Sequence, residues 1–341
     1  MKKIKIAQLG IEHDHAPAAM ASLRQNPDLF EVVGYSRCGC ERNVGPMYDG
    51  IPEMSPEELL AIPGLEAVTV ETYELELTHY AAMAIERGLH VHMDKPGAAD
   101  SAEFDRMVDM AESKGLVFHT GYMYRYNPFV TEAMEKIARG DYGEIYAVEA
   151  HMSCPHVTSK RQWLEEFPGG MLFFLGCHLV DLVFRIQGYP EKIIPMNCCT
   201  GIDGVTAQDY GFCAFVYKNG VSFVKSCASE PGGFPRRQLV ICGSRGTCEI
   251  KPLEASAPGE FFSSQYTERS ETFADPDGKT PWGRRGEIER SEVHGRYQRM
   301  MTAFASYVRG EKENPFTYDY EKRLHKMVLA SCGVDIDWKV D

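Results

Sequence analysis

Over the first ~120 residues, short runs of β-branched and apolar residues alternate with stretches whose apolar positions recur at helical spacing. The runs predict strands at Ile4–Leu9, Glu31–Tyr35, Ala67–Glu71, His90–Met93 and Leu116–Thr120. Helices are predicted between them at Ala16–Gln25, Pro56–Ile62, Thr78–Arg87 and Ala102–Ser113, with Gly88 and Gly115 where two of them should stop. Regular alternation of this kind reads as a doubly wound parallel α/β sheet. Beyond Gly121 the pattern changes. A helix at Phe129–Ala138, a strand at Glu144–Met152 and a helix near Leu179–Ile186 precede strands near Lys192–Cys199, Tyr210–Tyr217, Ser222–Ala228, Arg237–Cys242 and Thr247–Lys251. Strands that follow one another without helices predict a large, mostly antiparallel open sheet in an α+β unit. Ala255–Glu289, rich in Ser, Gly, Pro and charge, reads as a long surface excursion, and a last helix is expected at Tyr297–Arg309 before a capping segment ending near Ser331.

Composition narrows the class. A chain of 341 residues has room for about two domains. Thirty-six basic against 49 acidic residues give a net charge of −13, with no basic run, so neither nucleic acid nor an anionic membrane is an expected partner. No stretch approaches the ~20 apolar residues of a membrane span. The apolar run at the N-terminus is too short for a secretory leader, and eleven scattered cysteines fit reduced thiols. A cytoplasmic protein is the expectation.

In a doubly wound sheet, ligands are expected at the carboxyl ends of the strands. The loop leaving the first strand is Gly10-Ile11-Glu12-His13-Asp14-His15. Of the three glycines of G-x-G-x-x-G it keeps only Gly10. Glu12 stands where the backbone should approach a diphosphate, and a carboxylate there is repulsive. After the second strand come Ser36 and Arg37; an acidic residue would suit a ribose 2′-OH, whereas Arg37 suits a 2′-phosphate, so NADP is favoured over NAD, the plain alternative being a solvated arginine. Asp94-Lys95-Pro96 places a lysine at the end of the fourth strand, a position for a proton donor or simply for a turn. Clustered imidazoles among His13, His15, His90 and His92, or His151, His156 and His178, could hold a divalent metal. The alternation of His90 and His92 is accounted for by packing, and no metal is the expectation.

The run from Gly88 to Pro128, with Asp94-Lys95-Pro96 and Gly121-Tyr122-Met123-Tyr124-Arg125-Tyr126-Asn127-Pro128, resembles the Gfo/Idh/MocA family, which includes glucose-fructose oxidoreductase and inositol dehydrogenase. Its motifs G-K-H-V-x-x-E-K-P and G-[FY]-x-x-R-[FY]-N-P are spaced as here. Gly140 to Ile145, Gly169-Gly170 through His178-Leu179-Val180-Asp181, and Gly243 to Thr247 match as well. The resemblance implies a Rossmann-like dinucleotide-binding domain (1–122), an α+β substrate-binding and oligomerisation domain (123–341), and NAD(P)-linked interconversion of alcohol and ketone on a sugar- or cyclitol-like small molecule. A homodimer or homotetramer is implied too. By the same resemblance Lys95 lies beside nicotinamide and substrate hydroxyl, and His178 is the general base, with Asp181 one helical turn on. Gly10, Ile11, Glu12, His13, Ser36, Arg37, Thr72, Tyr73, Asp94, Lys95 and Pro96 would line the cofactor, and Tyr124, Arg125 and Trp163 would join His178 at the substrate. Arg125 in a structural ion pair and Trp163 in the core are the plain alternatives.

Three motifs depart from the family pattern. Glu12 and His15 alter the loop. T-P-N-x-x-H becomes Thr72-Tyr73-Glu74-Leu75-Glu76-Leu77, and the first Asp of G-G-x-L-x-D-x-G-x-H-x-x-D becomes Phe174. These changes keep open a second reading, a family member without net redox activity that binds carbohydrate, regulates, or uses the cleft as a lyase or hydrolase.

Overall fold

The computed structural model describes residues 2–258, 261–270 and 287–339. The chain groups into two units, Met1–Met123 with Tyr297–His325 and Tyr124–Arg296 with Lys326–Asp341.

In the first unit, β1 (Ile4–Leu9), β2 (Phe30–Ser36), β3 (Ala67–Val70), β4 (His90–Met93) and β5 (Phe118–Thr120) form a parallel sheet in the order β2-β1-β3-β4-β5. Between them run α1 (Ala16–Gln25), α2 (Pro56–Leu60), α3 (Leu77–Glu86) and α4 (Ser101–Ser113). The order reverses direction between β1 and β3, which makes their carboxyl ends the switch point where such sheets bind ligands.

The two faces of this sheet differ. Ala7, Leu9, Val68, Val70, Val91, Met93 and Phe118 point to one side and pack with Leu59, Leu77, Ile85, Phe104 and Val108 in a continuous apolar core. On the other side, paired positions across four strands are Gln8, Thr69, His92 and His119, all buried. Burying such a row requires hydrogen bonds. Gln8 Nε2 donates to Tyr48 Oη at 2.7 Å and to the Gly10 carbonyl at 2.9 Å, while His92 and His119 share a 2.7 Å Nδ1–Nδ1 hydrogen bond. Phe304 stacks on His119 at a centroid separation of 5.4 Å.

In the second unit, α5 (Pro128–Arg139), β6 (Ile145–His151), α6 (Thr158–Trp163) and α7 (Cys177–Gln187) precede β7 (Lys192–Pro195), β8 (Tyr210–Tyr217), β9 (Gly220–Cys227), β10 (Gln238–Gly243), β11 (Gly246–Ile250), β12 (Ala255–Ser256), β13 (Phe261–Ser270) and β14 (Glu287–Gly295). The nine strands form one sheet, β12-β13-β11-β10-β6-β9-β8-β7 with β14 on β13. Every pairing is antiparallel except β6 with β9.

Two expectations are corrected. Most of the described part of Ala255–Glu289 is strand rather than surface excursion, with 271–286 outside the described residues. The polar composition misled because β13 buries Ser264, Thr267 and Glu268 along with Tyr266, and ladder hydrogen bonds to β11 and β14 satisfy its backbone. Nor does everything after residue 122 group with the second unit, because α8 (Gln298–Val308) buries Met300, Met301 and Phe304 and sets Phe304 against His92 and His119. A final helix, α9 (Tyr318–Ser331), contains the division after His325.

Candidate active site

The alternation of the strands builds the first unit's share of the site. Glu71 continues the face of Thr69 past the end of β3, and Asp94 continues that of His92 past β4. The loop after β1 lies over them because Gly10, at φ 89°, lets the chain pass close to β3. A Cβ on Gly10 would stand 2.5 Å from the Thr72 nitrogen and 2.6 Å from the Glu71 carbonyl, both immovable backbone.

The loop therefore places His13 and His15 on Asp94. Their Nδ1 atoms lie 3.3 and 3.0 Å from the same Asp94 Oδ2, and His13 Nε2 lies 4.0 Å from Glu74 Oε1. Burial pushes the His13 imidazole down to about 3, although Asp94 pulls the other way. Burial and then the Asp94 carboxylate push Glu71 well above the usual carboxylate range. Burial would raise Asp94 too, but His13, His15 and Lys95 hold it well below that range. Lys95 is itself 1% exposed, its backbone N–H donates to Asp94 Oδ1 at 2.7 Å, and its peptide bond to the buried Pro96 is cis. Glu71 went unremarked in the sequence; the signal for it was the i, i+2 pairing of Thr69 with Glu71 beside that of His92 with Asp94.

A dinucleotide finds two different environments along this edge. The first is where its adenosine end would be held. A cavity of about 630 Å³ at the carboxyl end of β2 is lined by Ser36, Arg37, Cys38, Gly39, Glu53 and Ser55, although Arg37 Nε already donates to Glu53 Oε1 at 2.9 Å. Its diphosphate does not fit the family pose. The Glu12 and His13 amides both donate to the Glu71 carbonyl at 3.1 Å, that of His15 to the His13 ring at 3.2 Å, and that of Ala16 to the His13 carbonyl at 3.0 Å. The donors that would cradle an anion at this helix N-terminus are thus already used. Ile11 points away, into an apolar cluster with Met20, Tyr35, Cys40 and Tyr48. Thr72 is buried and donates weakly to the Tyr73 carbonyl, 3.4 Å away, with Tyr73 half-buried beside it.

The second unit presents a different group. His178 stands in the first turn of α7, 1% exposed, with its ring edge-on to Tyr124 at 5.1 Å. The Tyr124 hydroxyl accepts from Arg237 at 2.9 Å, and burial pushes its pKa up. One turn along, Asp181 receives Arg125: Nε lies 3.0 Å from both carboxylate oxygens and the terminal Nη2 2.8 Å from Oδ1. Side-chain exposures are 0% and 1%. The π-helical turn Leu172–Gly176 leads into α7 and carries Phe174, which meets Trp163 edge-on at 5.3 Å, while the Lys160 ammonium lies 3.6 Å from the Trp163 ring centroid.

A parallel sheet with its switch point at β1 and β3, a buried lysine at the end of the next strand, and a second unit built on an open sheet define a nucleotide-binding oxidoreductase architecture. The chain belongs to the Gfo/Idh/MocA family: residues 12–122 match its "Oxidoreductase family, NAD-binding Rossmann fold" and residues 130–249 its "GFO/IDH/MocA C-terminal domain". It is similar to the D-xylose 1-dehydrogenase (NADP(+)) 2 of Haloferax volcanii, at 29% identity over 49% of this chain and 54% of that one. It is also similar to the scyllo-inositol 2-dehydrogenase (NADP(+)) IolW of Bacillus subtilis, at 26% identity over 54% and 51%. The chain thus matches about half the length of these relatives. Among solved structures, the 3-ketoreductase KijD10 of Actinomadura kijaniata, determined with TDP-benzene and NADP, superposes with a TM-score of 0.74 over 96% of both chains. At 17% identity that likeness establishes the fold. No helix among the described residues is long and apolar enough to cross a membrane.

Proposed function

We propose that the protein is an NAD(P)-linked oxidoreductase that interconverts an alcohol and a ketone on a sugar- or cyclitol-like small molecule, with NADP(H) preferred. The observation that carries this reading is the open cavity at the end of β2 with Arg37 in its wall, in a chain whose relatives in sequence include NADP-dependent sugar and cyclitol dehydrogenases. The dinucleotide would supply or accept the hydride. Alcohol oxidation also requires a base for the hydroxyl proton, and an imidazole of ordinary pKa about 6.5 suits that task near neutrality. In this reading His178 takes the proton and Lys95 stabilises the developing alkoxide. Asp181 holds Arg125, and Phe174, in the place of the family's carboxylate, leaves His178 without that acidic neighbour.

Fluorescence titration with NADPH and NADH tests the reading. Saturable binding, tighter for NADPH, is expected. With a substrate in hand, Lys95→Met and His178→Ala should each lower turnover by about a hundredfold or more while leaving dinucleotide affinity nearly intact. The second reading, a scaffold that performs no hydride transfer, is favoured by the loop amides already bonded to Glu71. Absence of binding by either dinucleotide would replace the first reading with the second.

A further inference from the structure

The donor set beneath the first loop has a chemistry of its own. His13, His15 and Asp94 each offer one lone-pair atom, and these atoms lie within 4.8 Å of one another. In a tetrahedral site with bonds of about 2.0–2.2 Å, donors stand about 3.4 Å apart; the two imidazole-to-carboxylate separations of 3.3 and 3.0 Å are close to that spacing.

A second observation points into the same place. Glu71 is fully buried, its Oε2 stands 3.7 Å from His13 Nδ1, and its carboxyl group faces that of Asp94. That nitrogen accepts the His15 backbone N–H at 3.2 Å, a contact that an ion bound there would replace, and the ring's other nitrogen, Nε2, is buried with no hydrogen-bond partner. Two carboxyl groups buried at one place are costly unless a proton or a cation lies between them. Lys95 is the neighbouring cation with which an ion would compete.

We propose that His13, His15 and Asp94, with Glu71 as fourth donor, form a binding site for one divalent transition-metal ion. Two imidazoles with carboxylates suit zinc, manganese or iron(II) better than calcium or magnesium, which prefer all-oxygen sites. The proposal revises the expectation that these histidines only pack. It stands independently of the oxidoreductase reading, because the ligands all belong to the first unit and no dinucleotide or substrate enters the argument.

Cobalt(II) alone tests it, added to untagged, chelator-stripped full-length protein under reducing conditions with no dinucleotide present. The expected result is one cobalt per chain, with visible d–d absorption, displacement by zinc, and no thiolate-to-cobalt charge-transfer band, since the site lacks sulfur although the chain has eleven cysteines. His15→Gln alters the half-buried ligand at the rim and should weaken cobalt binding at least about tenfold, with circular dichroism confirming the fold. If that variant does not fold, Glu71→Gln serves as the same test. No absorption band, a sulfur charge-transfer band, or unchanged affinity in the folded variant would overturn the proposal, the last two by placing the ion elsewhere and the first by leaving Lys95 as the countercharge.

Discussion

Replacing Asp181 by Asn isolates what the second unit invests in its buried ion pair. Asp181 accepts both Nε and Nη2 of Arg125, and the two side chains are 1% and 0% exposed. Asn has nearly the same shape, but its amide turns a donor toward the guanidinium and removes the carboxylate charge. Removing one member of a buried ion pair costs about 3–5 kcal/mol, which lowers the folded-to-unfolded ratio by about two to four orders of magnitude. Trp163 and Trp338 belong to the second unit, so their emission during urea unfolding follows that unit. At an m-value of ~2 kcal/mol/M, a loss of 3 kcal/mol moves the midpoint down by about 1.5 M. Arg125→Met with Asp181→Leu removes both charges and should recover most of that loss, because a buried pair barely outperforms a well-packed apolar substitute. A loss below about 1 kcal/mol in Asp181→Asn would refute the reasoning. So would a double variant as unstable as the single one, since shape rather than charge would then be the source.

Three further outcomes are expected. Arg37→Ala should abolish a preference for NADPH over NADH, whereas Glu53→Gln, by releasing the guanidinium from its 2.9 Å contact, should strengthen it; equal affinities for the two dinucleotides in the parent protein would discard the assignment. The sheet face carrying Phe212 stacked on Phe223, beside the half-exposed Val221, is an economical surface for a second copy of the chain. Light scattering should report at least a dimer, reduced to monomer by Phe223→Asp, and a monomeric parent at micromolar concentration would defeat that idea. His90 is pushed below its ordinary pKa by burial and accepts the Val117 N–H at 2.9 Å. The unfolded chain therefore binds the extra proton first, so stability should fall as pH drops through about 6.5, by at most ~1.4 kcal/mol per pH unit from this group. Circular-dichroism melts of His90→Gln should show a shallower decline, and identical slopes would remove His90 as a cause.

Legibility of the structure followed the physics of each segment. The strand Ile4–Leu9, the helix Ala16–Gln25 and the strand Tyr210–Tyr217 were readable to the residue, because a period of 2 or 3.6 is a local property of the chain and burial rewards it directly. The family was legible for the same reason: Asp94-Lys95-Pro96 and the motif ending at Pro128 occupy short, contiguous stretches. Strands β13 and β14 were not, since their polar residues are held by ladder partners that composition does not reveal. Partnerships were decided only by tertiary structure. Arg125 and Asp181 are 56 positions apart and meet because α7 places Asp181 one turn beyond His178. His13, Glu71 and Asp94 come from three different strand ends, and it is the order β1-β3-β4 that brings them together. A sequence states which groups the chain owns and which face of its own element each one takes. What each group faces, and so whether a carboxylate repels a ligand, pairs with an arginine or remains buried without a partner, depends on elements distant in sequence and is set only when they pack.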